Sequence, residues 1–148
     1  MKDLTARPIL MVEDMDFDFE MTQRGFRRMG VQAPLIRHTN AASAAGFLSN
    51  VSVDSSASPL PGIVILDLNL PDGDGRELLS HIKRDDSLKD IPVVVWSASN
   101  DPTVIAECYR EGASSYICKA SDQQVAENAI QQFVLYWLKT VTLSPGNP

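Results

Sequence analysis

The side chains in this chain that could do phosphoryl or metal chemistry stand at one kind of place, the C-terminal end of a short apolar run. Glu13 and Asp14 follow Ile9-Leu10-Met11-Val12, and Asp67 follows Ile63-Val64-Ile65-Leu66. Ser97 follows Val93-Val94-Val95-Trp96, and Lys119 follows Tyr116-Ile117-Cys118. Carboxylates brought together repel one another and raise each other's pKa unless a cation lies among them. A hard divalent ion relieves that strain, and Mg²⁺ characteristically takes a few carboxylates together with waters and phosphate oxygens. A carboxylate can also act as a nucleophile and form an acyl phosphate. On this chemistry Asp67 is the candidate nucleophile, and Glu13, Asp14 and Asp67 are the carboxylates around a cation. Lys119 supplies positive charge for Asp67 at rest and for a phosphoryl oxygen later, and Ser97 supplies a hydroxyl donor. Such a site works mostly by positioning and charge neutralisation.

These residues can cooperate only if the runs that carry them lie side by side and parallel. Continuous apolar runs read as strands buried on both faces, the pattern of a parallel sheet under helices. In such sheets ligands sit outside the carboxyl ends of the strands. Apolar runs alternate with helical patterns five times, as in an α/β domain of βα units. The expected strands are 8–13, 34–37, 62–67, a fourth starting at Pro92, and 115–118. The expected helices run from Asp16 to Met29, from a cap at Asn40 to Ser49, from Arg76 to Arg84, from Pro102 to Arg110, and from a cap at Ser121 or Asp122 to Leu138. Residues 50–61, rich in Ser and Pro, read as a surface loop, and 139–148 as a tail. The whole of 1–148 is expected to be a single domain.

Composition is that of a globular protein, 44% hydrophobic and 22% charged, with a net charge of −6. An acidic balance without runs of Lys or Arg argues against a general nucleic-acid surface. No apolar stretch approaches the roughly 20 residues of a membrane span, and the N-terminus lacks a signal-peptide core, so a cytoplasmic protein is expected. Cys108 and Cys118 fit a reducing compartment and have no metal-ligand spacing; they read as small core residues. His38 and His81 stand alone and read as structural or surface residues.

Each site residue also has a plain structural reading: Asp67 as a turn residue, Lys119 as a solvated charge, Glu13-Asp14 as acids favoured at a helix start. Asp72 and Asp74 invite a calcium-loop reading, which fails because Pro71 and Asp72 stand where an EF-hand needs an oxygen ligand and Gly. They are expected to serve as turn and helix-cap residues. The signal lies in the joint order of acid pair, acid, hydroxyl and lysine.

With these motifs the chain resembles the receiver domain of two-component response regulators. The matching segments are Ile9-Leu10-Met11-Val12-Glu13-Asp14, then Leu66-Asp67-Leu68-Asn69-Leu70-Pro71 with Gly75 after it, then Trp96-Ser97-Ala98, then Tyr116-Ile117-Cys118-Lys119. The resemblance implies a flavodoxin-like doubly wound five-stranded parallel sheet of order 2-1-3-4-5 with five helices. It implies that Asp67 is the phosphoacceptor, that Glu13, Asp14 and Asp67 hold Mg²⁺ with the backbone carbonyl of Asn69, and that Ser97 and Tyr116 form a switch pair. In that switch Ser97 moves toward the phosphoryl group and Tyr116 turns inward. The ending Tyr136-Trp137-Leu138-Lys139-Thr140-Val141-Thr142-Leu143 resembles the single-domain regulators that partner phytochrome histidine kinases, which implies such a kinase as partner. A regulator of this kind catalyses only its own phosphorylation and dephosphorylation and signals by protein contact or onward phosphotransfer.

Two positions depart from the family pattern. Ala120 stands where relatives usually have proline after the lysine, and Asp16 adds a charge after the acid pair, where it is expected to cap the first helix. The last helix carries two apolar stripes: Val125, Ala129, Phe133 and Trp137, and Ala126, Ile130, Val134 and Leu138. They read either as one broad core face or as a core stripe plus a stripe packed on a second subunit, with the tail as a homodimer arm. Two other functions fit less well. A non-phosphorylated interaction module would not need the intact site, and a phosphatase with an Asp nucleophile would be expected to have a second Asp where Asn69 stands.

Overall fold

The computed structural model describes residues 7–146. Five parallel strands form one sheet: β1 (Ile9–Val12), β2 (Leu35–His38), β3 (Ile63–Leu66), β4 (Val93–Ser97) and β5 (Ser115–Cys118), in the order β2-β1-β3-β4-β5. They alternate with α1 (Asp16–Arg28), α2 (Ala41–Leu48), α3 (Gly75–Arg84), α4 (Pro102–Arg110) and α5 (Gln123–Phe133). This is the expected doubly wound order. The apolar runs are continuous because both sheet faces are covered, and successive side chains serve opposite faces. Leu10, Val12, Val64, Leu66, Val93 and Val95 enter one core cluster together with residues of α2, α3 and α4. Ile9, Met11, Ile63, Ile65, Val94 and Trp96 enter the other, with residues of α1 and α5. Burying each such side chain contributes about 1.5–3 kcal/mol relative to leaving it exposed.

Four helices start on side-chain caps. Asn40 accepts from Ser43 N at 2.8 Å, Asp74 from Arg76 N at 2.9 Å, Asp101 from Thr103 N at 2.9 Å and Asp122 from Val125 N at 3.0 Å. The expectation for α1 is corrected. Its N-cap is Met15, without a side-chain cap, and Asp16 is the first helical residue, paired with Arg37 of β2 at 2.8 Å. An arginine on the neighbouring strand draws Asp16 away from the helix end. Asp72 also departs from its local role, because it caps a different helix, accepting from Ala41 N and Ala42 N of α2 at 2.8 Å each. The β3–α3 connection is thereby tied to α2.

The α-helical form of α5 ends at Phe133, and Val134–Leu138 continue as a single π-helical stretch. Apart from the exposed Val125, both of its apolar stripes turn toward the α1–α5 core. Ile130, Phe133 and Val134 are buried, and Ala126, Ala129, Trp137 and Leu138 are half-buried against them. Phe133 stacks on Phe26 with ring centroids 5.9 Å apart and packs on Trp96 at 5.7 Å. Of the two readings of the stripes, this packing supports the broad core face, with Ile130 and Val134 of the second stripe buried against the sheet and α1. Val125, Leu135 and Tyr136 are the apolar residues of this segment left exposed. The tail folds back across the N-terminal ends of β1 and β3. Arg7 donates to the carbonyl oxygens of Leu60 (3.0 Å), Pro61 (2.5 Å) and Ser144 (2.6 Å), and Leu143 lies close over Gly62.

Candidate phosphoacceptor and metal site

Register places the reactive side chains at one edge. Val12 pairs with both His38 and Leu66, and the ladder continues one residue further. Glu13 N donates to His38 O, and Asp67 N donates to Val12 O, each at 3.0 Å. On the other side Ser97 pairs with Cys118, and Lys119 N donates to Ser97 O at 2.8 Å. Glu13 and Asp67 are therefore level, and Ser97 and Lys119 leave the next two strands one and two residues further along, toward the same carboxyl edge. Asp14 follows on the β1–α1 loop, and each of Glu13, Asp14 and Asp67 offers an oxygen within 4.8 Å of the other two.

The Lys119 ammonium is the hub. Nζ donates to Glu13 Oε1 (3.0 Å) and Oε2 (3.1 Å), to Asp67 Oδ2 (2.9 Å) and to Asp18 Oδ2 (2.8 Å). Asp67 Oδ1 accepts from Asn69 N at 3.2 Å, which orients the other oxygen toward the lysine. Arg37 Nε donates to the backbone oxygen of Glu13 at 3.0 Å, and its guanidinium lies 4.8 Å over the Phe19 ring. Burial, then the hydrogen bond with Asp67 and its charge, push the Glu13 carboxyl up to about 8, with Lys119 pulling the other way. Burial alone would lower Lys119, but its hydrogen bonds to Asp18 and Asp67 and the charges of Asp67 and Glu13 outweigh burial and raise it.

The turn after Asp67 depends on glycine. Gly75 N donates to Leu68 O at 2.8 Å, and a Cβ on Gly75 would lie 2.4 Å from the backbone oxygen of Asp67. Ser97 is fully buried, and its hydroxyl accepts from Ser99 N at 3.4 Å. The Tyr116 hydroxyl donates to Ser99 O at 2.8 Å and its ring packs on the α2–α4 core, so the tyrosine already engages the loop after Ser97. Burial raises the Tyr116 pKa against the hydrogen bonds from the Ser97 and Ser99 side. A cavity of about 210 Å³ opens beside Asp67 and Lys119 between α1 and α5, with Trp96 in its wall.

The structure brings Glu13, Asp14, Asp67, Asn69 and Lys119 together, with Ser97 and Tyr116 on the adjoining strands. Two partners escaped the sequence reading, Asp18 and Arg37. Asp18 carries a recognisable signal. It is an acid in the first turn of α1, three and four residues before the buried Met21 and Thr22, and so lies on the inward face. The residues suit a hard divalent cation. All three convergent donors are carboxylates, and burial together with the neighbouring Asp67 works against a charged Glu13, a cost that such a cation offsets.

Residues 9–131 match the response regulator receiver domain. The chain belongs to that family. It is 34% identical over 135 residues to the response regulator Rcp1 of Synechocystis, covering 91% of each chain. Among solved structures, the Mn²⁺-bound form of Rcp1 superposes with a TM-score of 0.85 at 33% identity, over 93% of this chain and 99% of that one. The phosphorylated cyanobacterial phytochrome response regulator RcpA gives a TM-score of 0.84 at 33% identity, over 93% of this chain and 97% of that one. The receiver therefore resembles phytochrome response regulators over nearly its full length. Among the described residues, no helix is long and apolar enough to cross a membrane.

Proposed function

We propose that this receiver takes a phosphoryl group from a histidine kinase of the phytochrome type onto Asp67, with Mg²⁺ held by Glu13, Asp14, Asp67 and the backbone carbonyl of Asn69. The observation that carries this reading is the meeting of Lys119 with Asp67 and Glu13 at the carboxyl edge of the sheet. The likeness to phytochrome regulators supports the choice of kinase. An Asp67 carboxylate oxygen attacks the phosphorus of a phosphohistidine. The P–N bond breaks with its electron pair going to the imidazole nitrogen, and a P–O bond forms, giving an acyl phosphate. Asn69 N–H holds one Asp67 oxygen, so the other is the attacking atom. Mg²⁺ supplies charge neutralisation for the phosphoryl oxygens. Lys119 donates to one of these oxygens and Ser97 to another. The Ser97–Ser99 loop moves with the phosphoryl group, and the Tyr116 hydroxyl bound to Ser99 passes that shift to the α4–β5 face.

The chain catalyses only its own phosphorylation and dephosphorylation, works in the cytoplasm, and passes the signal by protein contact or onward phosphotransfer. It also pairs with a second copy through the last helix and tail, where Val125, Leu135 and Tyr136 are exposed. Incubation with labelled phytochrome kinase tests the first reading. Asp67→Asn should abolish Mg²⁺-dependent transfer, and undiminished labelling of that variant overturns it. Sedimentation tests the second: Leu135→Glu with Tyr136→Ser should convert a dimer to a monomer, and an unchanged dimer overturns it.

A further inference from the structure

We propose that Asp18 is a positioning residue that gives the Lys119 ammonium a place to stand when the carboxylates of Glu13 and Asp67 turn to a divalent cation, and that it competes with a phosphoryl group for the same ammonium. The inference rests on the phosphoacceptor reading of Asp67 and deepens it. Lys119 Nζ has three hydrogens and four oxygens within 3.1 Å. Three of those oxygens belong to Glu13 and Asp67, both candidate cation ligands. The fourth belongs to Asp18, which is not among the convergent acids. A cation among Glu13, Asp14 and Asp67 repels the ammonium and takes the oxygens it was using. Asp18 is then the neighbour that keeps Lys119 paired. It is suited to that role because it sits on the first turn of a regular helix rather than on the β1–α1 loop, and is 29% exposed where Asp67 is 5% and Glu13 2%. It therefore retains hydration whether or not the lysine is bound to it. The main-chain segment after Lys119 carries Ala120 rather than a proline ring, so side-chain partners have a larger share in fixing where the ammonium rests.

Two consequences of opposite sign follow. Without Asp18, Lys119 has only the cation's own ligands to bind, so cation affinity falls. With the cation in place, Lys119 has no competitor for a phosphoryl oxygen, so a phosphoryl mimic binds more tightly. A plain loss of one negative charge would also weaken the cation and tighten an anionic mimic through the field alone, so the opposite signs do not decide between the two explanations, and Lys119 does. Acting through Lys119, Asp18 loses its effect when the lysine is replaced; acting through the field, it does not.

Trp96 lines the cavity beside Asp67 and Lys119, and the chain has two tryptophans, so Trp137→Phe leaves Trp96 as a single local reporter. In that background Mg²⁺ is titrated by fluorescence, and beryllofluoride is then titrated at saturating Mg²⁺. Asp18→Asn should weaken Mg²⁺ about three- to tenfold and tighten beryllofluoride by a similar factor. In a Lys119→Met background, Asp18→Asn should change neither. Unchanged affinities, both affinities weakened, or equal shifts with and without Lys119 overturn the inference. Asp18→Glu, which keeps the carboxylate, should restore values close to the parent, and failure of that rescue also counts against it. If the parent binds no Mg²⁺, or Asp67→Asn is still phosphorylated, the phosphoacceptor reading fails and takes this inference with it. A parent that binds Mg²⁺ and is labelled on Asp67, with Asp18→Asn inert, overturns this inference alone.

Discussion

Glu13 holds its proton to about pH 8 because burial and Asp67 together outweigh the attraction of Lys119. The folded pKa is raised from 4.5, so between about 4.5 and 8 the folded chain holds more protons at this group than the unfolded chain does. Its contribution to stability is therefore fully present at the low end of that window and declines as pH rises through it. Lys119, raised from 10.5, stays charged throughout and adds no slope there. In the metal-free protein the urea midpoint should fall from pH 5 to pH 8, and Mg²⁺ should raise it most at pH 8. A cation must also displace the Glu13 proton, so Mg²⁺ affinity should weaken by up to about tenfold per pH unit from pH 8 to pH 6. Calorimetric titration at several pH values checks this, and Glu13→Gln should flatten the profile while lowering affinity.

At the scale of elements, the β3–α3 connection is held from several sides. Asp72 reaches the start of α2, Asp74 caps α3, and Arg76 pairs with Asp74 and with Glu107 of α4. Gly75 packs directly against the backbone of Asp67 and Leu68. A methyl group there meets main-chain atoms that cannot swing aside. Gly75→Ala should destabilise the fold by about 1–3 kcal/mol in chemical denaturation and slow phosphorylation, because the Asp67 turn must shift to admit it. Asn40, Asp74, Asp101 and Asp122 were legible as caps because the capping interaction is local, between residues two or three apart. Asp16 was not, because its partner Arg37 comes from the next strand. The π-helical stretch after Phe133 was hidden for a related reason. A helical apolar pattern reports which residues face the core and does not report a local widening of the turn.

At the scale of the whole molecule, the two ends of the sheet do different work. The carboxyl edge gathers charge, while the opposite edge is closed by the tail. Arg7 ties the tail to the chain before β3 through three carbonyl oxygens. Arg7→Ala should lower stability by about 1–2 kcal/mol and release the tail. Limited trypsin digestion checks the release, with cleavage after Lys139 appearing in the variant and not in the parent. A tail already engaged on its own domain also puts more of any subunit contact on the exposed Leu135 and Tyr136 than on residues 141–144.

The five βα units and the gathering of Glu13, Asp14, Asp67, Ser97 and Lys119 at one sheet edge were readable from the amino-acid sequence, and the strand order followed from the resemblance to receiver domains. Apolar runs buried on both faces identify parallel strands, and a parallel sheet brings the residues at their carboxyl ends to one edge. Tertiary structure alone decided the partners of those residues. Asp18 lies 101 positions from Lys119, and Arg37 lies 24 from Glu13. It likewise decided that both stripes of the last helix, Val125 apart, face the domain's own core and that the tail meets Arg7. Periodicity shows that a side chain faces inward, but which charge or ring it meets there depends on how α1, β5 and the last helix are brought together around the sheet.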